Sequence, residues 1–83
     1  MSYELIIDEE AIRFLEKQQE KIKKRIFLKL QEAKKNPHHF FERLEGRTDY
    51  KLRIGNYRAI ADITEEKIII TYIDHRKNIY KKS

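Results

Sequence analysis

Arg53 and Arg58 bracket the tetrapeptide Ile54-Gly55-Asn56-Tyr57. Gly-Asn between two short apolar-alternating runs reads as a two-residue hairpin turn, and Gly at the first turn position favours type II′. Such a turn sets Ile54 opposite Tyr57 and Arg53 opposite Arg58. Directly opposed like charges destabilise a sheet, so folding alone does not account for the arginine pair. Lys51 shares their face, because strand side chains alternate with a period of two. Three cations on one sheet face suit an anion, and a phosphate backbone is the commonest large one.

His75 and Arg76 close the last apolar run, and Tyr80 comes one helical turn after Arg76. A helical turn over residues 77–82 puts Arg76 and Tyr80 on one side. An unbroken two-residue hairpin at Glu65-Glu66 pairs Arg58 with Ile73 and Ile60 with Thr71, which carries His75 onto the face of Arg53 and Arg58. Arg53, Arg58, His75, Arg76 and Tyr80 are therefore expected near one edge of the sheet. The set suits a phosphodiester. Arginine forks hold phosphate oxygens and offset charge that builds in the transition state. Histidine exchanges a proton near neutral pH. Tyrosine serves as a base where positive neighbours favour its phenolate, or stacks on a nucleobase. With RNA the nucleophile can be the substrate's own 2′-hydroxyl, so the chemistry requires neither metal nor cofactor.

Blander roles stand beside these. His75 can simply end a strand, and Tyr80 can anchor the C-terminal segment by packing. The adjacent His38 and His39 project in different directions and have no evident partner for a metal. The lysines between positions 21 and 35 read as the solvated face of a helix. Arg47, Lys77 and Lys81 are candidate phosphate-backbone contacts, or, for the two lysines, plain solubility charges.

Positioning these residues falls to the elements around them. Residues 3–7 form an Ile-rich run, expected as a first strand. Asp8 is placed to cap a helix over residues 9–17, with Glu9 and Glu10 at its positive end. Ile22, Ile26, Leu30 and Ala33 recur at helical spacing, giving a second helix over 19–35 that Asn36-Pro37 ends. Residues 36–46 read as a connector, and three strands follow over 49–54, 57–64 and 67–74. The expected fold is α+β. An N-terminal strand and a helical hairpin precede a three-stranded antiparallel meander. The helices cover one face of a four-stranded sheet and leave an open basic face opposite. Residues 1–83 are expected to make a single domain.

The chain has 83 residues, no cysteine and a net charge of +5. A disulfide framework and a thiolate metal site are thereby excluded. No apolar run approaches the roughly 20 residues a membrane span needs. The start lacks the pattern of a signal peptide, so a cytoplasmic setting is expected. The charge is uneven: residues 1–45 hold ten Lys/Arg against nine Asp/Glu, residues 46–83 nine against five. The basic excess lies with the arginines, where it attracts nucleic acid or an acidic protein.

Leu44-Glu45-Gly46, the stretch Tyr50-Lys51-Leu52-Arg53-Ile54-Gly55-Asn56-Tyr57-Arg58 and the ending Ile73-Asp74-His75-Arg76-Lys77-Asn78-Ile79-Tyr80, in this order after a strand and two helices, resemble the RelE/ParE toxin superfamily. The ending resembles RelE, archaeal forms in particular, more than the gyrase-poisoning ParE branch. The resemblance implies a toxin of a type II toxin–antitoxin system. Such a toxin is a ribosome-dependent endoribonuclease that cuts mRNA in the A site by 2′-hydroxyl attack. It further implies a cognate RelB-like antitoxin partner, with operator DNA bound only through that antitoxin. Lys51 and Arg53 match the basic pair that grips the mRNA phosphate, and Arg58 and Arg76 the arginines that stabilise the transition state. Tyr80 matches the C-terminal tyrosine that acts as base or stacking platform. Arg53 and His75 each stand where some RelE proteins have lysine. The alternatives are a ParE-like gyrase inhibitor without nuclease activity and an inactive toxin retained as antitoxin partner and corepressor.

Overall fold

A computed structural model describes residues 3–82, with side chains through residue 79. Five strands form one sheet in the order β1-β5-β4-β3-β2. They are β1 (Glu4–Ile7), β2 (Phe41–Arg43), β3 (Tyr50–Ile54), β4 (Tyr57–Ile63) and β5 (Lys67–His75). Helices α1 (Glu9–Glu16), α2 (Glu20–Lys35) and α3 (Pro37–Phe40) lie between β1 and β2, and α4 (Arg76–Lys82) follows β5. β1 runs parallel to β5, and the other pairs are antiparallel.

The helices form where the apolar spacing places them. Ala11 and Leu15 of α1 and Ile26, Leu30 and Ala33 of α2 are buried against Leu52, Ile54, Ala59, Ala61, Ile68, Ile70 and Ile73 of the sheet. Burying each large aliphatic side chain contributes about 1.5–3 kcal/mol, so this single helix–sheet layer carries most of the fold. Asp8 occupies the cap position of α1, but its side chain makes no capping bond; its backbone carbonyl accepts from the Ile12 amide at 3.0 Å. Asn36 ends α2, and Pro37 then opens α3, where its missing N–H costs nothing.

Three expectations need correction. The sheet has five strands, because part of the 36–46 connector folds as α3 and β2. Phe41 turns into the core and pairs with Leu52, while Glu42 and Arg43 pair with Lys51 and Tyr50. The second correction is a register shift in the β4–β5 ladder. Ala61 pairs with Ile70 but Ile60 pairs with Tyr72, leaving Thr71 as the extra residue of a bulge. From there on every β5 side chain is displaced by one position. Ile73 enters the core opposite Ala59, Asp74 stands opposite Arg58, and His75 stands opposite Tyr57. The Thr71 hydroxyl donates to the Ile60 carbonyl at 3.2 Å, using an acceptor at the irregular position.

The face opposite the helical layer is only partly open. Ile60 points there by alternation from Ala59 and Ala61, yet it is buried, as is Ile79 of α4, and neither belongs to the main core. Helix α4 contacts both β4 and β5, so it covers part of the face that was expected to be bare.

The β3–β4 turn forms as expected. Gly55 has φ +57° and no non-glycine among the described residues has positive φ, so Asn56 is not left-handed. That combination fits a type II′ turn and rules out type I′, which needs positive φ at both central residues. A Cβ at Gly55 would meet Arg25 at an ordinary 3.6 Å, so the cost of alanine there is conformational. Gly55→Ala is expected to lower stability by about 1–2 kcal/mol, read as a reduced midpoint in urea unfolding. An unchanged midpoint would show that the turn does not depend on this backbone state.

Candidate functional site

The β3–β4 turn gathers arginines from separate parts of the chain. Arg53 pairs directly with Arg58 across the hairpin, as its two-residue turn demands. Arg58 is 5% exposed. Its Nη1 donates to the carbonyl oxygens of Gly55 and Tyr57, both at 2.7 Å, and its buried Nε has no partner among the described residues. The Arg76 amide donates to the Asn56 carbonyl at 2.9 Å, tying the start of α4 to the same turn. Arg25, on α2, lays its guanidinium over Gly55. Sequence reading places Arg25 on a solvated helix face; only the packing of α2 along the sheet brings it to the hairpin tip.

Asp74 is the nearest carboxylate to Arg58 by register, yet no ion pair joins the two. Its Oδ1 accepts from the His75 amide at 2.7 Å and from Asn78 Nδ2 at 3.0 Å, and its Oδ2 from the Tyr72 hydroxyl at 2.7 Å. This carboxylate therefore braces the junction of β5 and α4. Among the described residues Arg58 forms no ion pair, although Asp74 stands across the strand from it, and burying a guanidinium without one is costly unless an external anion completes it.

His75 is not where an unbroken ladder would put it. The bulge turns it onto the Tyr57 side of the sheet, away from Arg53 and Arg58. Its ring meets Tyr57 edge-on at 5.6 Å between centroids, and Tyr57 in turn meets Phe14 at 6.0 Å. The His75 Nδ1 accepts from the Lys77 amide at 3.3 Å.

The remaining candidates divide. Lys51 is half-exposed on the Arg53 face, between Glu42 on β2 and Ile60 on β4. Arg47 lies at the far end of β3 in an ion pair with Asp49 at 2.6 Å, so it is separate from the cluster. Lys77 is exposed on α4. Tyr80 and Lys81 fall within α4 as expected, but their side chains lie outside the described residues. His38 and His39 are exposed on α3, with ring contacts to Tyr3 and Phe40 respectively.

A tip that presents several guanidinium groups, one of them rigidly held, can grip an anionic group and stabilise negative charge developing on it. The family described as ParE toxin of type II toxin–antitoxin system, parDE, matches residues 5–80. No curated protein matches the chain by sequence. Among solved structures, the toxin–antitoxin complex RelBE2 from Mycobacterium tuberculosis is similar with a TM-score of 0.82 at 22% identity, over 92% of this chain and 100% of that one. The RelB–RelE antitoxin–toxin complex from Methanococcus jannaschii gives 0.73 at 25%, over 94% and 98%. The archaeal RelE–RelB complex from Pyrococcus horikoshii OT3 gives 0.76 at 22%, over 92% and 97%.

Proposed function

The chain belongs to the ParE toxin family of type II toxin–antitoxin systems, and from that membership we propose that it is a RelE-type toxin that cleaves mRNA on the ribosome. The observation that carries this reading is Arg58: a buried arginine, fixed by two backbone carbonyls, in no ion pair among the described residues, facing a second arginine across the turn. A guanidinium fixed in this way suits a site that stabilises charge developing on a phosphate.

In the proposed reaction the 2′-hydroxyl oxygen of one nucleotide attacks the adjacent phosphorus. The O2′–P bond forms and the P–O5′ bond breaks, leaving a 2′,3′-cyclic phosphate and a free 5′-hydroxyl. Arg58 and Arg76 hold the non-bridging oxygens as their charge grows, and Lys51 and Arg53 grip the phosphate from the strand face. Tyr80, as its phenolate, receives the 2′-hydroxyl proton; the departing 5′-oxygen takes a proton from water, and the hydroxide so formed recovers the proton from Tyr80. His75, turned toward Tyr57, is assigned a positioning role at the root of α4. The ribosome supplies what so small a site lacks, a substrate already held in register. The two archaeal relatives are complexes of RelE with RelB, and a RelB-like antitoxin is the proposed partner here, with operator DNA reached through it. The proposed setting is the cytoplasm, where ribosomes translate.

The test is in vitro translation of a defined message with the purified protein, mapping RNA 5′ ends by primer extension. Cuts within A-site codons that require ribosomes are expected. Arg76→Ala should weaken them by about 10²-fold while far-UV circular dichroism stays unchanged. Absence of cuts with translation unimpaired would overturn the reading. DNA supercoiling assays would then test the gyrase-inhibitor alternative that the family match keeps open.

A further inference from the structure

We infer that the cleft between α2 and the tip of β3 is a second phosphate subsite, with Arg25 as its principal ligand for the substrate RNA strand. The inference rests on RNA being the substrate, and it extends the site to a nucleotide flanking the one that is cut.

The cleft measures about 400 Å³ and is lined by Arg25, Leu28, Lys29, Glu32, Arg53, Ile54 and Gly55. It exists because β2 reaches only to Leu52 in its pairing with β3, so the strand beyond that point has no neighbour on this side. Arg25 and Arg53 make no ion pair and no side-chain hydrogen bond among the described residues. Other cations of the chain do: Arg13 bonds Glu9, Lys23 bonds Glu20 and Arg47 bonds Asp49. Two guanidinium groups converging on one cleft, neither paired with a carboxylate among the described residues, repel each other.

The cleft's single carboxylate is Glu32, which lies 4.0 Å from Lys29. That leaves Arg25 and Arg53 to set the sign at the end nearest the turn. Leu28, 62% exposed, forms an apolar wall beside them. A nucleotide unit matches this pairing of fork-shaped donors with an apolar surface, its phosphate on the arginines and its ring against Leu28. Continuity favours RNA over an acidic peptide as occupant. Arg53 lines the cleft and is also the cross-strand neighbour of Arg58, so one strand of RNA passing over the tip meets both subsites in turn.

The experiment uses the full chain and a 2′-O-methylated single-stranded RNA, which lacks the attacking hydroxyl and cannot be cut. Binding is followed by fluorescence anisotropy across a salt series, beside a two-nucleotide fragment of the same chemistry and an acidic amphipathic peptide. Arg25→Gln is expected to weaken binding of the long RNA several-fold and to reduce the slope of log K against log salt by about 0.7, the loss of one phosphate contact. The two-nucleotide fragment should bind as before, and Arg25→Lys should recover most of the slope. Glu32→Gln should act in the opposite direction and tighten the long RNA. An unchanged slope in Arg25→Gln would overturn the inference, as would a loss confined to the acidic peptide. If the wild type fails to cut on ribosomes but the slope still falls, the subsite stands and the cleavage reading is lost. If the wild type cuts and the slope does not move, the reverse holds. A wild type that binds no RNA removes the subsite and leaves the cleavage reading to the ribosome assay alone.

Discussion

Replacing Arg58 with methionine is expected to lower ribosome-dependent cutting by about 10²–10³-fold while leaving the protein folded. The two effects separate because Arg58 acts on stability through opposing terms. Its Nη1 bonds to the Gly55 and Tyr57 carbonyls contribute about 1.5–3 kcal/mol each, as bonds to a charged group do. Against them stands the desolvation of a guanidinium that is 5% exposed and, among the described residues, has a buried Nε without a partner and forms no ion pair. That penalty is of several kcal/mol. Methionine fills much of the same volume and removes the charge and the bonds together. The net change in unfolding free energy is expected within about 2 kcal/mol of zero, measured by urea denaturation. In the transition state the balance tips one way only, because the phosphate brings the negative charge that Arg58 lacks in the free protein. Arg58→Lys keeps a charge but loses the planar fork that bonds carbonyl and phosphate at once, and should recover only part of the activity. A methionine variant that cuts within a few-fold of wild type would remove Arg58 from the chemistry. A variant that unfolds would show that the two carbonyl bonds outweigh desolvation.

The parts of this arrangement that were legible in the sequence are those set by local chemistry. Gly55-Asn56 fixes a two-residue turn, and a two-residue turn fixes Arg53 opposite Arg58, so half of the cluster follows from adjacent residues. The stripe of Ile22, Ile26, Leu30 and Ala33 fixes which face of α2 is buried. What was not legible depends on long-range packing. β2 has three residues, too few for alternation to show, and it is a strand only because β3 offers it an edge. Arg25 looks like any other cation on a lysine-rich helix until α2 is laid along the sheet. In β5 the run Ile68-Ile69-Ile70-Thr71-Tyr72-Ile73 is apolar almost throughout. A strand without alternation does not say which residues face which side, so the bulge at Thr71 leaves no trace in the pattern.

That bulge makes a sharp prediction: Ile73→Asp should abolish folding, whereas Tyr72→Gln should be tolerated. In an unbroken ladder Ile73 would point to the same face as Arg58, where an added carboxylate would be welcome, and Tyr72 would point into the core. In the observed register Ile73 is 1% exposed, opposite Ala59 and within the helix–sheet core. Removing the isoleucine side chain there costs about 2–5 kcal/mol before any charge is considered. Aspartate adds a buried carboxylate with no partner, which costs several kcal/mol more or forces the group to protonate. A chain of this size has about 4–12 kcal/mol to lose, so the sum reaches the whole of its stability. Circular dichroism and thermal melts of the two variants decide the matter. A folded Ile73→Asp beside an unfolded Tyr72→Gln would restore the unbroken register. The functional stake is the same residue shift. One extra residue at Thr71 sets Asp74 opposite Arg58, where it braces α4 instead of pairing with the arginine, and sends His75 to Tyr57. Without the bulge, Ile73 would stand beside Arg58 and Asp74 would face the helical layer, and α4 would lose the carboxylate that braces its junction with β5.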